Sequence, residues 1–253
     1  MILIITNYKL TISKLVKNAK KVWAFFLDLI FPKECLGCGC EGMWLCQKCF
    51  SNIKLRSEHF CLACKQKTSF AQFCSSCALN YDLDGVLIAS YYEQKIISKL
   101  IKSFKYYFIR ELQQDLGKIL ILFLNELFDK KEQKINFQEC LIIPVPLSAF
   151  RKRWRGFNQA EILACLVAKN FNLELSIDKL IRTKHTKPQV KLNKKQRKNN
   201  IKGCFDWRSN NLEGRQIILV DDVVTTGATL NECAKVLKLH GASKVWGLVI
   251  ANG

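Results

Sequence analysis

The sequence predicts an α/β fold in which a mostly parallel sheet with flanking helices follows a small cysteine-rich module. From residue 81 onward, short β-branched segments alternate with longer segments of helical periodicity, which is the pattern of a parallel sheet with helical crossovers. Residues 33–80 contain paired cysteines and little apolar periodicity, and residues 1–32 form a basic amphipathic segment. We therefore divide the chain into residues 1–32, 33–80 and 81–253.

The composition is that of a folded protein with anionic partners. The chain has 253 residues, of which 49% are hydrophobic, so it can form one α/β domain of ordinary size and one small module. This apolar content argues against an intrinsically disordered chain. The formal net charge of +19 favours nucleic acid, an anionic membrane or phosphorylated ligands as partners.

The N-terminal segment has the pattern of an amphipathic helix. Residues 11–31 carry apolar side chains at helical spacing and lysines on the opposite face, and Pro32 ends the pattern. The helix could pack on its own protein or lie on a membrane surface, and both interpretations remain open. The apolar run is too short to span a bilayer, and no small-residue cleavage site follows it. We therefore expect a cytoplasmic protein, with contact to the inner face of the cytoplasmic membrane as an alternative that this segment allows.

Paired cysteines define the second segment. Eight of the thirteen cysteines form four Cys-x-x-Cys pairs: Cys35, Cys38, Cys46, Cys49, Cys61, Cys64, Cys74 and Cys77. Thiolates at this spacing are the usual ligands of structural zinc, so the segment is predicted to be folded by one or two Zn²⁺ ions. Sequential pairing is the simplest arrangement, but a cross-braced pairing fits the same spacing. An iron–sulfur cluster is the competing interpretation, and Cys40 and His59 lie close enough to replace a ligand.

The elements of the sheet follow in order after Asp84. The apolar pattern predicts strands at 86–92, 140–145, 217–220 and 243–251, with two brief candidates at 180–181 and 203–207. It predicts helices around 96–104, 112–128 and 162–167, and one that continues to His240. Asn158 is the predicted N-cap of the third helix, and Gly241 is the residue that ends the last one.

A strand, two acids and a turn form the most informative stretch, 217–230. Four apolar residues lead into Asp221 and Asp222, and the turn from Thr225 to Thr229 opens a helix. Backbone N–H groups at a helix N-terminus bind anions, and Gly227 permits a close approach of the backbone to a phosphate. Two carboxylates beside an anion site call for hydroxyl groups or a metal ion near that phosphate. A ribose 5-phosphate has this shape.

This stretch resembles the motif that binds phosphoribosyl pyrophosphate (PRPP) in type I phosphoribosyltransferases. The resemblance implies that Asp221 and Asp222 contact the ribose hydroxyls, with Mg²⁺ accompanying PRPP. It also implies that a loop holds the 5-phosphate, and this loop consists of Thr225, Thr226, Gly227, Ala228 and Thr229.

Two basic segments are candidates for contact with pyrophosphate or another polyanion. The first is a cationic loop after Pro144-Val145-Pro146, and it contains Arg151, Arg153 and Arg155. The second runs through 182–202, begins with Arg182 and Lys184, and contains no Asp or Glu. It could form a mobile lid or a track for a nucleic-acid backbone, and a solvated charge run is the alternative.

Taken together and in this order, these motifs resemble the ComF family of competence proteins. The resemblance covers about Pro32 to Ala251, and its most specific parts are Arg155 to Gln159 and the Asp221–Thr229 loop. It implies a phosphoribosyltransferase-like domain and a role in handling incoming single-stranded DNA during natural transformation, together with other DNA-uptake proteins. Three aromatic side chains near cationic segments, Trp154, Phe157 and Trp207, could stack on bases.

Two other functions remain open at this point. A catalytic phosphoribosyltransferase would transfer ribose 5-phosphate from PRPP to a nitrogen acceptor, although no catalytic residue is identified. The sequence given ends about one strand after the PRPP-type helix, so segment 84–110 or the zinc module would have to cover an acceptor base. A non-enzymatic zinc adaptor that docks other competence proteins is the third possibility.

Overall fold

A sheet of parallel strands forms the centre of the larger of the two units into which the chain divides, Met1–Phe50 and Ser51–Gly253. The computed structural model describes residues 32–107, 109–129, 135–184, 200–209 and 211–253. The amphipathic segment 11–31 and most of the predicted basic segment, residues 185–199, lie outside the described residues.

The described elements follow one another in nearly the predicted order. The strands are β1 (His59–Phe60), β2 (Lys67–Thr68), β3 (Gly85–Tyr91), β4 (Leu141–Pro144), β5 (Leu180–Arg182), β6 (Phe205–Trp207), β7 (Gln216–Val220), β8 (Val223–Val224) and β9 (Lys244–Asn252). The helices are α1 (Gln47–Ser51), α2 (Ser75–Ala78), α3 (Lys95–Tyr106), α4 (Leu112–Phe128), α5 (Ala149–Arg155), α6 (Gln159–Phe171) and α7 (Ala228–Leu239), and a 3-10 turn (Phe137–Glu139) precedes β4.

The main sheet has the strand order β3-β9-β7-β4, and β8 extends it by pairing with β9. Every pair in this sheet is parallel, which confirms the predicted sheet. Parallel strands are covered on both faces, so their sequences are continuously apolar rather than alternating. This explains why Ile217–Val220 and Val245–Ala251 are buried without a break.

Helices cover the sheet. The helices α4 and α6 pack against each other, with α4 on β3 and β9 and with α6 on β4 and β7. The helix α7 packs against β9 and β6. As predicted, the Asn158 side chain caps α6 by accepting a hydrogen bond from the Ala160 N–H group, and α7 ends just before Gly241.

The two brief strand candidates are confirmed as strands outside the parallel sheet, and one predicted loop is wrong. The brief strands at 180–182 and 205–207 do not join the parallel sheet, because they pair with each other in an antiparallel ladder. The predicted cationic loop around Arg151 is a helix, α5, whose N-cap Ser148 accepts a hydrogen bond from the Arg151 N–H group. A local side-chain cap therefore makes this segment helical despite its run of like charges.

The topology brings two loops to the same edge of the sheet. The strands β4 and β7 are parallel neighbours in which Pro144 pairs with Val220. Beyond the paired residues, the Val145 N–H group donates a hydrogen bond to the Val220 carbonyl oxygen at 2.9 Å. The segment before α5 and the acid pair after β7 consequently leave the sheet side by side at its carboxyl edge, where open α/β sheets bind ligands.

Among the described residues, no helix combines the length and the apolar composition needed to cross a bilayer.

Candidate functional site

The turn between β7 and α7 has the strand–turn–helix form that the sequence predicts. Gly227 adopts a left-handed conformation (φ 73°) and directly precedes the first residue of α7, Ala228. The Ala228 N–H group lies 3.4 Å from the Thr226 hydroxyl oxygen, and Thr225 is exposed. Because the first N–H groups of a helix lack intrahelical partners, this turn can bind an anion at the positive end of the α7 dipole.

The two acids lie at the start of this turn and share their environment with a cation. The Asp222 N–H group donates to Asp221 Oδ1 at 2.8 Å, and the Asp222 side chain is buried. Lys105 Nζ forms an ion pair with Asp222 Oδ1 at 2.7 Å. Burial and the neighbouring charge of Asp222 raise the pKa of Asp221 to about 7, although Lys105 and Arg155 act in the opposite direction.

The helix α5 and the strand β5 supply cations opposite the acids. Arg151 and Arg155 are four residues apart and therefore lie on the same side of α5. Arg155 Nη1 donates to Gln159 Oε1 at 3.0 Å, but among the described residues Arg155 Nε and Gln159 Nε2 are buried without a hydrogen-bond partner. Burial lowers the pKa of Arg155, and burial together with the Arg151 charge lowers the pKa of Arg182. An anionic ligand would compensate these partly desolvated cations.

One cleft of about 520 Å³ unites these groups. Its lining includes seven of the twelve residues predicted to bind PRPP or a polyanion: Asp221, Asp222, Thr225, Thr229, Arg151, Arg155 and Arg182. Three of the other predicted residues belong to the turn without lining the cleft: Thr226, Gly227 and Ala228. Arg153 and Lys184 are exposed outside the cleft lining.

The cleft residues that escaped sequence reasoning include two from the end of α3. Lys105 and Tyr106 come from the last turn of α3 and line the same cleft. They are distant from Asp222 in sequence, and the apolar helical pattern that predicts α3 ends at Phe104 without marking either residue.

The predicted set of base-stacking aromatic side chains was partly wrong. Phe157 and Trp207 are only 7% and 6% exposed, because both belong to the hydrophobic interior. Trp154 is 54% exposed and lines the cleft. Of the three, only Trp154 is therefore accessible to a ligand.

The paired cysteines form two clusters in which neighbouring pairs combine sequentially. In the second cluster, the sulfurs of Cys61, Cys64, Cys74 and Cys77 all lie within 4.8 Å of one another. In the first, the four sulfurs that meet this distance belong to Cys35, Cys38, Cys40 and Cys46. Cys40, the possible replacement ligand, therefore belongs to this set, whereas the predicted ligand Cys49 does not. Cys49 adjoins the same set, because its N–H group donates to Cys46 Sγ at 3.4 Å. Among the described residues, His59 belongs to neither cluster.

The buried cysteine of each cluster lies in an electrostatic environment that favours its thiolate. Burial raises the pKa of Cys35, but hydrogen bonds from the N–H groups of Cys38, Cys46 and Gly37 outweigh this effect and lower that pKa to about 6. In the second cluster, burial likewise raises the pKa of Cys61, but the N–H groups of Cys64, Cys74 and Ala63 lower it to about 7. Four converging thiol groups with N–H donors to sulfur match the donor set of a structural zinc site.

Comparisons with known protein families agree with both parts of this architecture. The sequence matches the phosphoribosyl transferase domain family over residues 158–252 and the double zinc ribbon domain family over residues 26–78. The first match covers the cleft residues of α6, β5, β7 and α7, and the second covers all the paired cysteines. The fold is therefore a phosphoribosyltransferase-like sheet that follows a cysteine-rich zinc-ribbon module.

Individual relatives extend this similarity over most of the chain. The sequence is 34% identical over 213 residues to competence protein F of Haemophilus influenzae, which covers 82% of this chain and 90% of the relative. It is 28% identical over 205 residues to competence protein ComFC of Bacillus subtilis, covering 78% of this chain and 79% of the relative. It is also 32% identical over 154 residues to DNA utilization protein YhgH of Escherichia coli, covering 60% of this chain and 66% of the relative. The chain belongs to the ComF family of competence proteins.

Proposed function

We propose that this protein binds PRPP in the cleft formed by the Asp221–Asp222 turn and α5, and that it handles single-stranded DNA in natural transformation. The observation that carries the proposal is the meeting of an acid pair, an anion-binding turn and a cluster of arginines in one cleft of about 520 Å³. A ligand that offers hydroxyl groups flanked by phosphates on both sides matches this order of groups.

The three parts of PRPP correspond to three parts of the cleft. Thr225, Thr229 and the N-terminus of α7 suit the 5-phosphate, since unsatisfied N–H groups and hydroxyl groups bind phosphate oxygens. The two carboxyl groups suit the ribose hydroxyls and Mg²⁺. Arg151, Arg155 and Arg182 suit the pyrophosphate, because guanidinium groups bind phosphate oxygens in a bidentate manner.

Lys105 helps to explain how an acid pair can accept an anionic ligand. Two ionised carboxylates would repel the phosphate groups of PRPP. The ion pair of Lys105 with Asp222, together with the raised pKa of Asp221, lowers the negative charge that the ligand meets before Mg²⁺ arrives. We expect binding to be tighter above pH 7 than below it, because Mg²⁺ requires an ionised Asp221.

Calorimetry with PRPP and Mg²⁺ tests this proposal. Asp221→Asn/Asp222→Asn preserves the shape of both side chains and should abolish the binding heat. A matched control, Asp178→Asn/Asp206→Asn, removes two exposed acids outside the cleft and should bind as the wild type does. Equal binding by all three proteins would contradict the proposal.

The nucleic-acid part of the proposal is supported by charge and by family. The chain carries a formal charge of +19, and relatives are named for competence and for DNA utilization. We expect single-stranded DNA to bind at low salt and to dissociate as salt rises, since lysines and arginines release counterions from phosphates.

A charge-matched pair of variants tests this second part. Arg151→Gln/Arg155→Gln should weaken strand binding and reduce its salt dependence by roughly 0.7 in log–log slope for each lost phosphate contact. Lys169→Gln/Lys235→Gln removes the same charge from exposed positions outside the cleft and should have the smaller effect. Absence of binding at low salt would contradict the role in DNA handling.

A catalytic phosphoribosyltransferase is the second candidate, and the arginines opposite the acid pair favour it. Cations at the position of a departing pyrophosphate stabilise the charge that develops during transfer. The test is the release of pyrophosphate when PRPP and Mg²⁺ are mixed with bases, amines and glutamine. Release with any of these acceptors supports catalysis, and silence with all of them supports binding alone.

A further inference from the structure

We propose that α5 and the end of α3 form a base-stacking subsite for single-stranded DNA at the aromatic side of the cleft. The proposal rests on the proposed function and adds a location and a chemical class: one or two nucleobases of a strand stack on Phe150, Trp154 and Tyr106. All three side chains line the cleft beside the arginines.

The first observation is a ridge of exposed aromatic side chains. Phe150 and Trp154 are four residues apart on α5, so they lie on the same side of the helix. Their exposures are 67% and 54%, and that of Tyr106 is 45%. The Tyr106 and Trp154 rings approach to 6.3 Å between centroids at an angle of 59°. A cluster of large apolar side chains that stays exposed marks a site of interaction.

The second observation is a parallel ridge of cations on the same helix. Arg151 and Arg155 follow Phe150 and Trp154 by one residue each, so the two ridges run side by side along α5. The Arg155 guanidinium lies 5.5 Å from the centre of the Tyr106 ring. Lys152 and Arg153, which are exposed on the same helix, add to the positive charge.

A single strand of nucleic acid matches both ridges at once. Proteins that bind single strands combine cations along the phosphate backbone with aromatic rings that stack on successive bases. An apolar protein segment would fit the rings but would gain nothing from four cations on the same short helix. Bases in a duplex are not free to stack on side chains, so the ridge selects a single strand.

The stacking subsite and the proposed PRPP site occupy different parts of the same cleft. The acid pair and the α7 turn lie at the carboxyl end of β7, whereas Phe150 and Trp154 belong to α5, which follows β4. The arginines border both parts, so we do not use them as variants in this test.

The test compares two strands and three proteins. The strands are a labelled oligothymidylate and a strand of equal length made of abasic nucleotides, which keeps the phosphates and lacks the bases. Wild type should bind oligothymidylate more tightly than the abasic strand. Phe150→Ala/Trp154→Ala should bind oligothymidylate at least about tenfold more weakly than wild type does, since it loses the rings on which the bases stack. Its affinity for the abasic strand should not change.

The matched control is Tyr107→Ala. Tyr107 is 74% exposed, lies next to Tyr106 and is outside the cleft lining, so its removal should leave both affinities at the wild-type values. If the double alanine variant does not fold, Trp154→Leu keeps an apolar side chain of considerable size, and it should still lose part of the preference for bases. Quenching of tryptophan fluorescence by oligothymidylate, but not by the abasic strand, should also disappear in Trp154→Leu.

The outcomes separate this inference from the proposed function. Equal affinity of wild type for both strands, or an unchanged preference in Phe150→Ala/Trp154→Ala, would overturn the stacking subsite and leave strand binding through phosphates intact. Failure of wild type to bind either strand at low salt would overturn both the subsite and the role in DNA handling. PRPP calorimetry on the same preparations then shows whether the protein binds PRPP even though it does not bind DNA.

Discussion

The two cysteine clusters share their local chemistry but differ in their surroundings. The first lies within the unit Met1–Phe50, and five cysteines meet there: Cys35, Cys38, Cys40, Cys46 and Cys49. The second lies within Ser51–Gly253, uses four cysteines and begins with the fully buried Cys61. Cys61 and Leu62 belong to the same hydrophobic cluster as Leu230 of α7 and Val224 of β8. The second cluster is therefore part of the core beneath the candidate phosphate-binding turn.

The contact with the turn is direct. A Cβ atom on Gly227 would lie 2.6 Å from Leu62 Cδ2, so the leucine between Cys61 and Ala63 covers the turn closely. Further along, Asn231 Oδ1 of α7 accepts hydrogen bonds from the N–H groups of Asp82 and Leu83, at 2.9 Å and 3.2 Å. Because of these contacts, we expect the second cluster to position the candidate PRPP site.

Loss of zinc from each cluster should have the largest effect and should separate their roles. We expect Cys61→Ser to lower the free energy of unfolding of the larger unit by at least about 3 kcal/mol, since structural zinc contributes on the order of 10 kcal/mol in small domains. Cys40→Ser/Cys49→Ser, which leaves three thiols in the first cluster, should remove as much zinc without weakening PRPP binding. Zinc content, urea unfolding followed by circular dichroism, and PRPP calorimetry measure the three quantities. Equal loss of PRPP binding in both variants would contradict the comparison.

A pair of equally buried leucines provides the next test. Leu62 and Leu45 are both 8% exposed and belong to the second and first cysteine segments respectively. Leu62→Ala should cost roughly 3 kcal/mol in unfolding free energy, because a large side chain leaves a cavity in the core. It should also weaken PRPP binding, as the turn loses its cover. Leu45→Ala should leave PRPP affinity at the wild-type value, and an equal change in both variants would show that Leu62 has no special role.

Two left-handed glycines allow a finer test. Gly227 and Gly39 have φ values of 73° and 78°, but a Cβ atom on Gly39 would meet no atom within 4 Å. Alanine at Gly39 should cost about 1 kcal/mol for backbone strain alone, and alanine at Gly227 should cost more, about 2 kcal/mol, because it also displaces Leu62.

A double variant identifies the source of the additional cost. If Leu62 is the cause, Gly227→Ala should cost less in a Leu62→Ala background than in the wild type, and urea unfolding of the four proteins of this cycle measures the difference. Strict additivity would assign the whole cost to the backbone.

The difference between local motifs and tertiary contacts explains what could be predicted from the sequence. The Asp221–Thr229 turn and the cysteine pairs were predictable, because each depends on residues that are close in sequence. The contact of Leu62 with Gly227 and the ion pair of Lys105 with Asp222 depend on tertiary packing between distant segments, which one sequence does not reveal.

The helix α5 was only partly predictable from the sequence. Its run of cations suggested a loop, but Ser148 at its N-cap and Gly156 just after its end are ordinary helix boundaries. Greater weight on these two residues, and on the spacing of Phe150 and Trp154, would have predicted the helix. The position of α5 in the cleft could not have been predicted in this way, because it depends on the pairing of β4 with β7.

The smallest expected effect concerns the extra cysteine of the first cluster. Four thiolates complete a tetrahedral zinc site, and both Cys40 and Cys49 lie next to the sulfur atoms of Cys38 and Cys46. We expect either one to serve as the fourth ligand when the other is absent. Cys40→Ser and Cys49→Ser should therefore each retain the zinc content of the wild type and change the free energy of unfolding by less than about 0.5 kcal/mol.

Only the double variant Cys40→Ser/Cys49→Ser should lose one zinc ion per chain. Among the described residues, the second cluster has no fifth cysteine that could replace a ligand. The single substitution Cys77→Ser should therefore remove its zinc. Zinc released by a thiol-reactive reagent and quantified with a chromogenic chelator measures all four variants. Loss of zinc from Cys49→Ser alone would show that Cys40, although within reach of the site, cannot complete it, and the two clusters would then be chemically equivalent.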